Sequence, residues 1–218
     1  MKGICAITIM LSFFTCCQGQ QSEEKSVNNT KIHVGGRCEG CEAIYESSHE
    51  SLSPVDTLPG FDTSDSRLKL SGVIYEADGV TPAGDVVLYI YHTDEKGIYP
   101  KLGNETGWAK RHGYLRGWVK TDADGRYTFY TSKPAGYPES QAPAHVHATI
   151  KEPEFNEYYI ADYLFADDPR LRHVAGDVSL RGGSGVIQLK KENDLWVGYR
   201  DIILGKNIPD HPATGRVK

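Results

Sequence analysis

From residue 68 to residue 204 the chain reads as one short strand after another, and no stretch of ten or more residues carries the apolar period of an amphipathic helix. Residues 68–75 (Leu-Lys-Leu-Ser-Gly-Val-Ile-Tyr) alternate and end in a turn-rich stretch at 77–84. Residues 85–91 (Asp-Val-Val-Leu-Tyr-Ile-Tyr) are almost continuously apolar, which predicts a strand covered on both faces. Residues 117–122 and 126–131 flank Ala123-Asp-Gly125, a hairpin signature. Further strands are predicted over 145–150, 158–165, 186–190 and 196–204. Short strands punctuated by glycine and proline specify an all-β fold, a β-sandwich of mostly antiparallel strands.

The rest of the chain divides around that block. Lys2, an apolar run from Gly3 to Phe14 and the small or polar residues to Gly19 have the layout of a signal peptide, assigned to residues 1–20. The expectation is export, to a periplasm or the outside. Cys16 and Cys17 are candidates for a lipid-bearing cysteine, and cleavage near Gly19-Gln20 is the alternative. Residues 21–67 are polar, read as a tether and linker around a Cys-x-x-Cys, with the sandwich domain at 68–206 and a tail at 207–218. In an oxidising compartment Cys38 and Cys41 read as a local disulfide; in a reducing one the same spacing suggests redox or metal chemistry. A formal net charge of −5 gives no basic footprint and argues against nucleic acid as a partner.

The chemistry concentrates in residues 142–150, Ala-Pro-Ala-His-Val-His-Ala-Thr-Ile. Side chains two apart on a strand share a face, so His145 and His147 leave one surface together, a spacing that suits two ligands on one metal. Tyr99 and Tyr137 lie upstream, each beside a proline in a turn context. A phenol with a pKa of roughly 10 coordinates well only to a strongly Lewis-acidic cation. Two hard phenolates with two imidazoles favour a trivalent ion, iron(III) above all, and such a centre suits activation of a bound catechol.

These residues fall within a longer pattern. In order come Leu70-Ser-Gly-Val-Ile-Tyr75, Gly97-Ile-Tyr99, Thr121-Asp-Ala-Asp-Gly-Arg-Tyr-Thr-Phe129 and Lys133-Pro-Ala-Gly-Tyr-Pro138. Pro143-Ala-His-Val-His147, Phe165-Ala-Asp-Asp-Pro169 and Tyr199-Arg-Asp-Ile-Ile-Leu204 follow. The series resembles the intradiol ring-cleavage dioxygenases, of the protocatechuate 3,4-dioxygenase and catechol 1,2-dioxygenase type. The resemblance implies a non-haem Fe(III) held by Tyr99, Tyr137, His145 and His147. It implies a catecholic substrate that displaces Tyr137, the catalytic tyrosine, and reacts with O2 to give a cis,cis-muconate. Gln141, Trp108 and Asp162 are the residues it suggests for substrate contact.

The chain departs from that pattern in the short loop between Tyr137 and His145 and in the missing helical dimerisation domain. It carries Ala142 where the family has an arginine and Asp162 where it often has a glutamine. Arg111, Arg116 and Arg126 are alternative sources of positive charge, and Tyr114 is an alternative first ligand. Two other functions fit parts of the sequence: a catechol-binding protein with a degenerate iron site, and a transthyretin-like β-sandwich binding module, which would have no use for the paired histidines.

Overall fold

The computed structural model describes residues 33–174 and 179–213. The expected signal segment and its two candidate lipid-bearing cysteines lie outside the described residues. Twelve strands are present among them: β1 (Val55–Thr57), β2 (Arg67–Tyr75), β3 (Val87–His92), β4 (Arg116–Lys120), β5 (Arg126–Ser132) and β6 (His145–Lys151), then β7 (Tyr158–Tyr159), β8 (Tyr163–Phe165), β9 (Val186–Ile187), β10 (Leu189–Glu192), β11 (Leu195–Tyr199) and β12 (Ile202–Ile203). Among the described residues, helix is confined to α1 (Ala109–His112) and to 3-10 turns at Cys41–Glu46, Phe61–Thr63 and Pro169–His173.

The strands form two sheets. One runs β1-β5-β2-β11-β10 with β12 on the end of β2; the other runs β4-β3-β6-β8-β9 with β7 on β6. Both are mixed: β1–β5, β2–β11, β2–β12 and β8–β9 are parallel, and the other six pairings are antiparallel. In β2 every second residue is buried, so Leu68, Leu70 and Ile74 face inward while Arg67, Lys69 and Ser71 lie on the other face. They meet Phe129 and Tyr127 of β5, Leu88 and Ile90 of β3, and Val146, Ala148 and Ile150 of β6 in one core. Each such side chain contributes about 1.5–3 kcal/mol by leaving water.

β3 is covered on both faces, as its apolar run predicts. Val87 and Tyr89 point away from the main core and pack under Ala43 and Ile44, with Trp108 and Trp118 alongside. The 3-10 turn that begins at Cys41 therefore roofs the outer face of the second sheet. Cys38 and Cys41 are joined by a disulfide, with Cα atoms 5.6 Å apart.

Three expectations are corrected. The body begins well before residue 68: Val34, Ala43, Ile44 and Leu58 are buried, and β1 adds to β5. It also extends past 206, since Ile208 and His211 are buried. In both segments single apolar residues at irregular spacing do the packing, so no period announces it. The turn at 122–125 does not close a hairpin, because β4 and β5 belong to different sheets. Asp122 caps the turn by accepting from the Asp124 and Arg126 N–H groups. Gly125, at φ +69°, lies so close to β2 that an added Cβ would stand 2.4 Å from the Ile74 carbonyl oxygen. The turn thus carries the chain across the sandwich.

Candidate metal centre

β6 pairs with β3 so that His147 stands beside Tyr91. His145 and His147 leave the same face of β6, and their Nε2 atoms are 3.1 Å apart. Two loops bring the tyrosines to that face. After β3, Asp94 accepts the N–H groups of Lys96 and Ile98 and folds a tight turn. Gly97 at its tip has φ +78°, and a Cβ there would be 2.3 Å from the Gly136 carbonyl oxygen. Only glycine fits that left-handed, crowded position, and the contact seats the Tyr99 loop against the Tyr137 loop. The second loop is pinned from the far side: Asp168 accepts the Ala144 N–H, and the Arg170 guanidinium reaches the Tyr137 carbonyl at 3.3 Å.

The four polar tips converge. Tyr99 Oη and Tyr137 Oη are 2.7 Å apart, and Tyr137 Oη is 3.2 Å from His145 Nε2 and 3.4 Å from His147 Nε2. Tyr99 Oη is 3.0 Å from His147 Nε2. Four donors each about 2 Å from one ion stand about 3.3 Å apart, so the cluster has the dimensions of a coordination shell. The outer nitrogens support the same reading. His145 Nδ1 donates to the Pro143 carbonyl at 2.8 Å, and His147 Nδ1 lies 3.1 Å from the Asp162 carboxylate. With those protons placed outward, both Nε2 atoms present lone pairs to the centre, the arrangement of metal-bound histidines.

Burial raises the Tyr99 phenol above its ordinary range, and the Tyr137 hydroxyl beside it adds to the effect. Burial raises Tyr137 as well and lowers His145. Burial alone would raise the Asp162 carboxyl, but the charge and hydrogen bond of His147 outweigh it and hold it low. His145, His147 and Asp162 also have ligand atoms within 4.8 Å of one another, the residue types of a two-histidine, one-carboxylate site. Asp162, however, meets His147 at Nδ1, the nitrogen that faces away from the phenols. It orients His147 and does not join the four.

A cavity of about 710 Å³ opens on the tyrosine side, lined by Tyr99, Tyr137, Ile98, Lys101, Lys110 and Arg111 among others. Of the arginines considered as charge sources, Arg111 lies at this cavity, tied to Glu39. Arg116 pairs with Glu46, and Arg126 with Asp124. The first phenol in the cluster is Tyr99 and not Tyr114, whose backbone N–H donates to the Pro100 carbonyl.

None of the three residues suggested for substrate contact lines that cavity. Gln141 is exposed on its loop and is not among the cavity's lining residues. Trp108 stacks on His112, which stacks on Tyr91 at 3.7 Å, so it is separated from the cluster by two rings. Asp162 lies behind His147. Tyr91, which the sequence suggests only as a strand residue, has its ring 4.5 Å from that of His147 and forms one wall of the site. Its place opposite His147 follows from the register of β3 against β6, which no local pattern in the sequence announces.

A family model described as a dioxygenase matches residues 46–179, more than half of the chain. Catechol 1,2-dioxygenase 1 of Acinetobacter lwoffii is 39% identical over 89 residues, which are 41% of this chain and 27% of that protein. The match thus spans about a quarter of that relative's length. Among solved structures, the dioxygenase domain of a dioxygenase and carbohydrate-binding protein fusion from Streptomyces sp. SirexAA-E aligns with a TM-score of 0.54 at 22% identity, over 68% of this chain and 85% of that one. The 3-chlorocatechol 1,2-dioxygenase of Rhodococcus opacus aligns with a TM-score of 0.51 at 19% identity, over 67% and 62%. These structural likenesses show the fold.

Proposed function

The chain belongs to the intradiol ring-cleavage dioxygenase family, and on that footing we propose that it uses a non-haem Fe(III) to open catecholic rings with O2. The observation that carries the proposal is the convergence of Tyr99, Tyr137, His145 and His147 beside an open cavity. The residues fit the ion: two hard phenolates neutralise most of a trivalent charge, and two imidazoles complete the set. When bound, iron(III) supplies Lewis acidity and an acceptor for electron density from a deprotonated catechol.

The protein's own part is positioning and proton handling. Tyr137 lies on the cavity wall with Tyr99; by the family resemblance, its oxygen would be the one to give way to an incoming catechol hydroxyl and accept its proton at Oη. Tyr99, braced by the Gly97 contact, and the two histidines on β6 hold their places. Tyr91 closes the side of His147 with an apolar ring face. The carbon–carbon bond between the two hydroxyl-bearing carbons breaks, and both atoms of O2 end in the two carboxyl groups of the muconate product.

The test is an oxygen electrode run beside ultraviolet detection of the muconate chromophore, with iron-loaded protein and catechol. One O2 consumed per catechol, with activity lost in His147→Ala, supports the proposal. Binding of catechol without oxygen uptake would instead favour the degenerate binder, the reading that Ala142 keeps in play.

A further inference from the structure

The register of β6 against its neighbours slips by one residue at the metal-facing segment. Thr149 pairs with Tyr159 and Ile150 with Tyr158, yet Val146 pairs with Tyr163 and His145 with Leu164. Ala161 and Asp162 therefore stand together opposite His147, which is a β-bulge. Continued by one residue, the β8 register sets Asp162 directly opposite His147, and the extra residue is taken up between Asp162 and β7. The Asp162 carboxylate lies 3.1 Å from His147 Nδ1.

The bulge is braced on every side. Ile160 N–H donates to the Ala148 carbonyl, and Ala161 N–H to the Arg181 carbonyl at 2.9 Å. Gly185 presses on the far side, where an added Cβ would stand 1.9 Å from the Asp162 carbonyl oxygen. Arg200, 3% exposed, donates from Nη1 to the Ala161 carbonyl at 2.7 Å. Its Nε and Nη2 have no hydrogen-bond partner among the described residues. Burying an arginine without a carboxylate on its fork is unfavourable, so the fold keeps this cation where it supports the bulge and the nearby Asp162 charge.

The two histidines are therefore oriented by unlike groups. His145 donates to a neutral carbonyl, that of Pro143, and His147 to a carboxylate. We propose that Asp162 is a positioning residue that makes His147 the stronger imidazole donor of the pair, by fixing its proton on Nδ1 and raising the donor strength of Nε2. The proposal rests on the reading of the cluster as an iron(III) centre. It also gives a role to the departure at this position, where the resemblance leads one to expect an uncharged glutamine.

The experiment compares wild type, Asp162→Asn and Asp162→Glu in two states. In the metal-free protein, nitrogen-15 shifts of His147 report its tautomer: the proton sits on Nδ1 in wild type, and that population falls in the Asn variant. After iron loading, the Asn variant binds Fe(III) about 10–100-fold more weakly, and its tyrosinate charge-transfer band moves to longer wavelength. The Glu variant recovers part of both, and unchanged thermal unfolding of the metal-free Asn variant shows that the fold is intact. A wild-type His147 protonated on Nε2, or an Asn variant with unaltered affinity and band, would overturn the proposal. Failure of the wild type to take up iron would sink the metal-centre reading, while the tautomer measurement, which needs no metal, still decides the pairing.

Discussion

Loading the centre should release two protons, and their number follows from the hydrogen bonds. The Pro143 carbonyl can only accept, so His145 carries its proton on Nδ1; the Asp162 carboxylate places the His147 proton likewise. Both Nε2 atoms are then bare, and only the phenols of Tyr99 and Tyr137 hold protons that a cation must displace. Burial raises both phenols, so each is protonated at neutral pH. Each released proton strengthens binding about tenfold per pH unit, so affinity for Fe(III) rises about 100-fold, or about 2.7 kcal/mol, from pH 7 to pH 8. Tyr137→Phe keeps the ring and removes one proton, which reduces the slope to about tenfold. Competition against a chelator of known protonation, repeated across that interval, reads the slope. A wild-type slope of one proton or none, or a Tyr137→Phe slope equal to wild type, would refute the placement of the protons.

Other expectations concern the scaffold. Burial holds His92 at about 4, below the ordinary histidine value near 6.5, so its neutral form is the folded one. Its contribution is complete above pH 6.5 and is lost as the pH falls towards 4, by at most about 3 kcal/mol. Urea unfolding across that range checks this, and a His92→Gln variant with the same acid loss would contradict it. Phe129→Ala, in the centre of the core, costs about 3–5 kcal/mol, read from the denaturation midpoint. Cys38→Ser with Cys41→Ser opens a loop of three residues' separation and costs about 2 kcal/mol; a reductant that leaves the unfolding midpoint unmoved would show that the bond contributes nothing.

The parts of the fold legible in the sequence were those with local periodicity. Alternation in β2, the apolar run of β3 and the His-x-His spacing on β6 all rest on geometry within one strand. What stayed hidden depends on residues far apart in the chain. β1 is three residues long and joins β5 across more than 70 positions, so no pattern marks it. The turn at 122–125 shows its Asx cap in the sequence, but turn chemistry does not say which sheet the next strand will join. The stretch 158–165 looks like one strand because a bulge inserts a residue without changing composition. Asp162 reads as a substrate contact from the resemblance, at a position where a glutamine is expected; its place opposite His147 depends on which strand β8 pairs with.

The most direct test of the iron centre is a visible absorption spectrum of the iron-loaded protein, taken without oxygen before and after addition of catechol. Coordination by Tyr99 and Tyr137 predicts a broad tyrosinate-to-iron(III) band that shifts when catechol displaces Tyr137. A colourless protein that takes up no stoichiometric iron would contradict it.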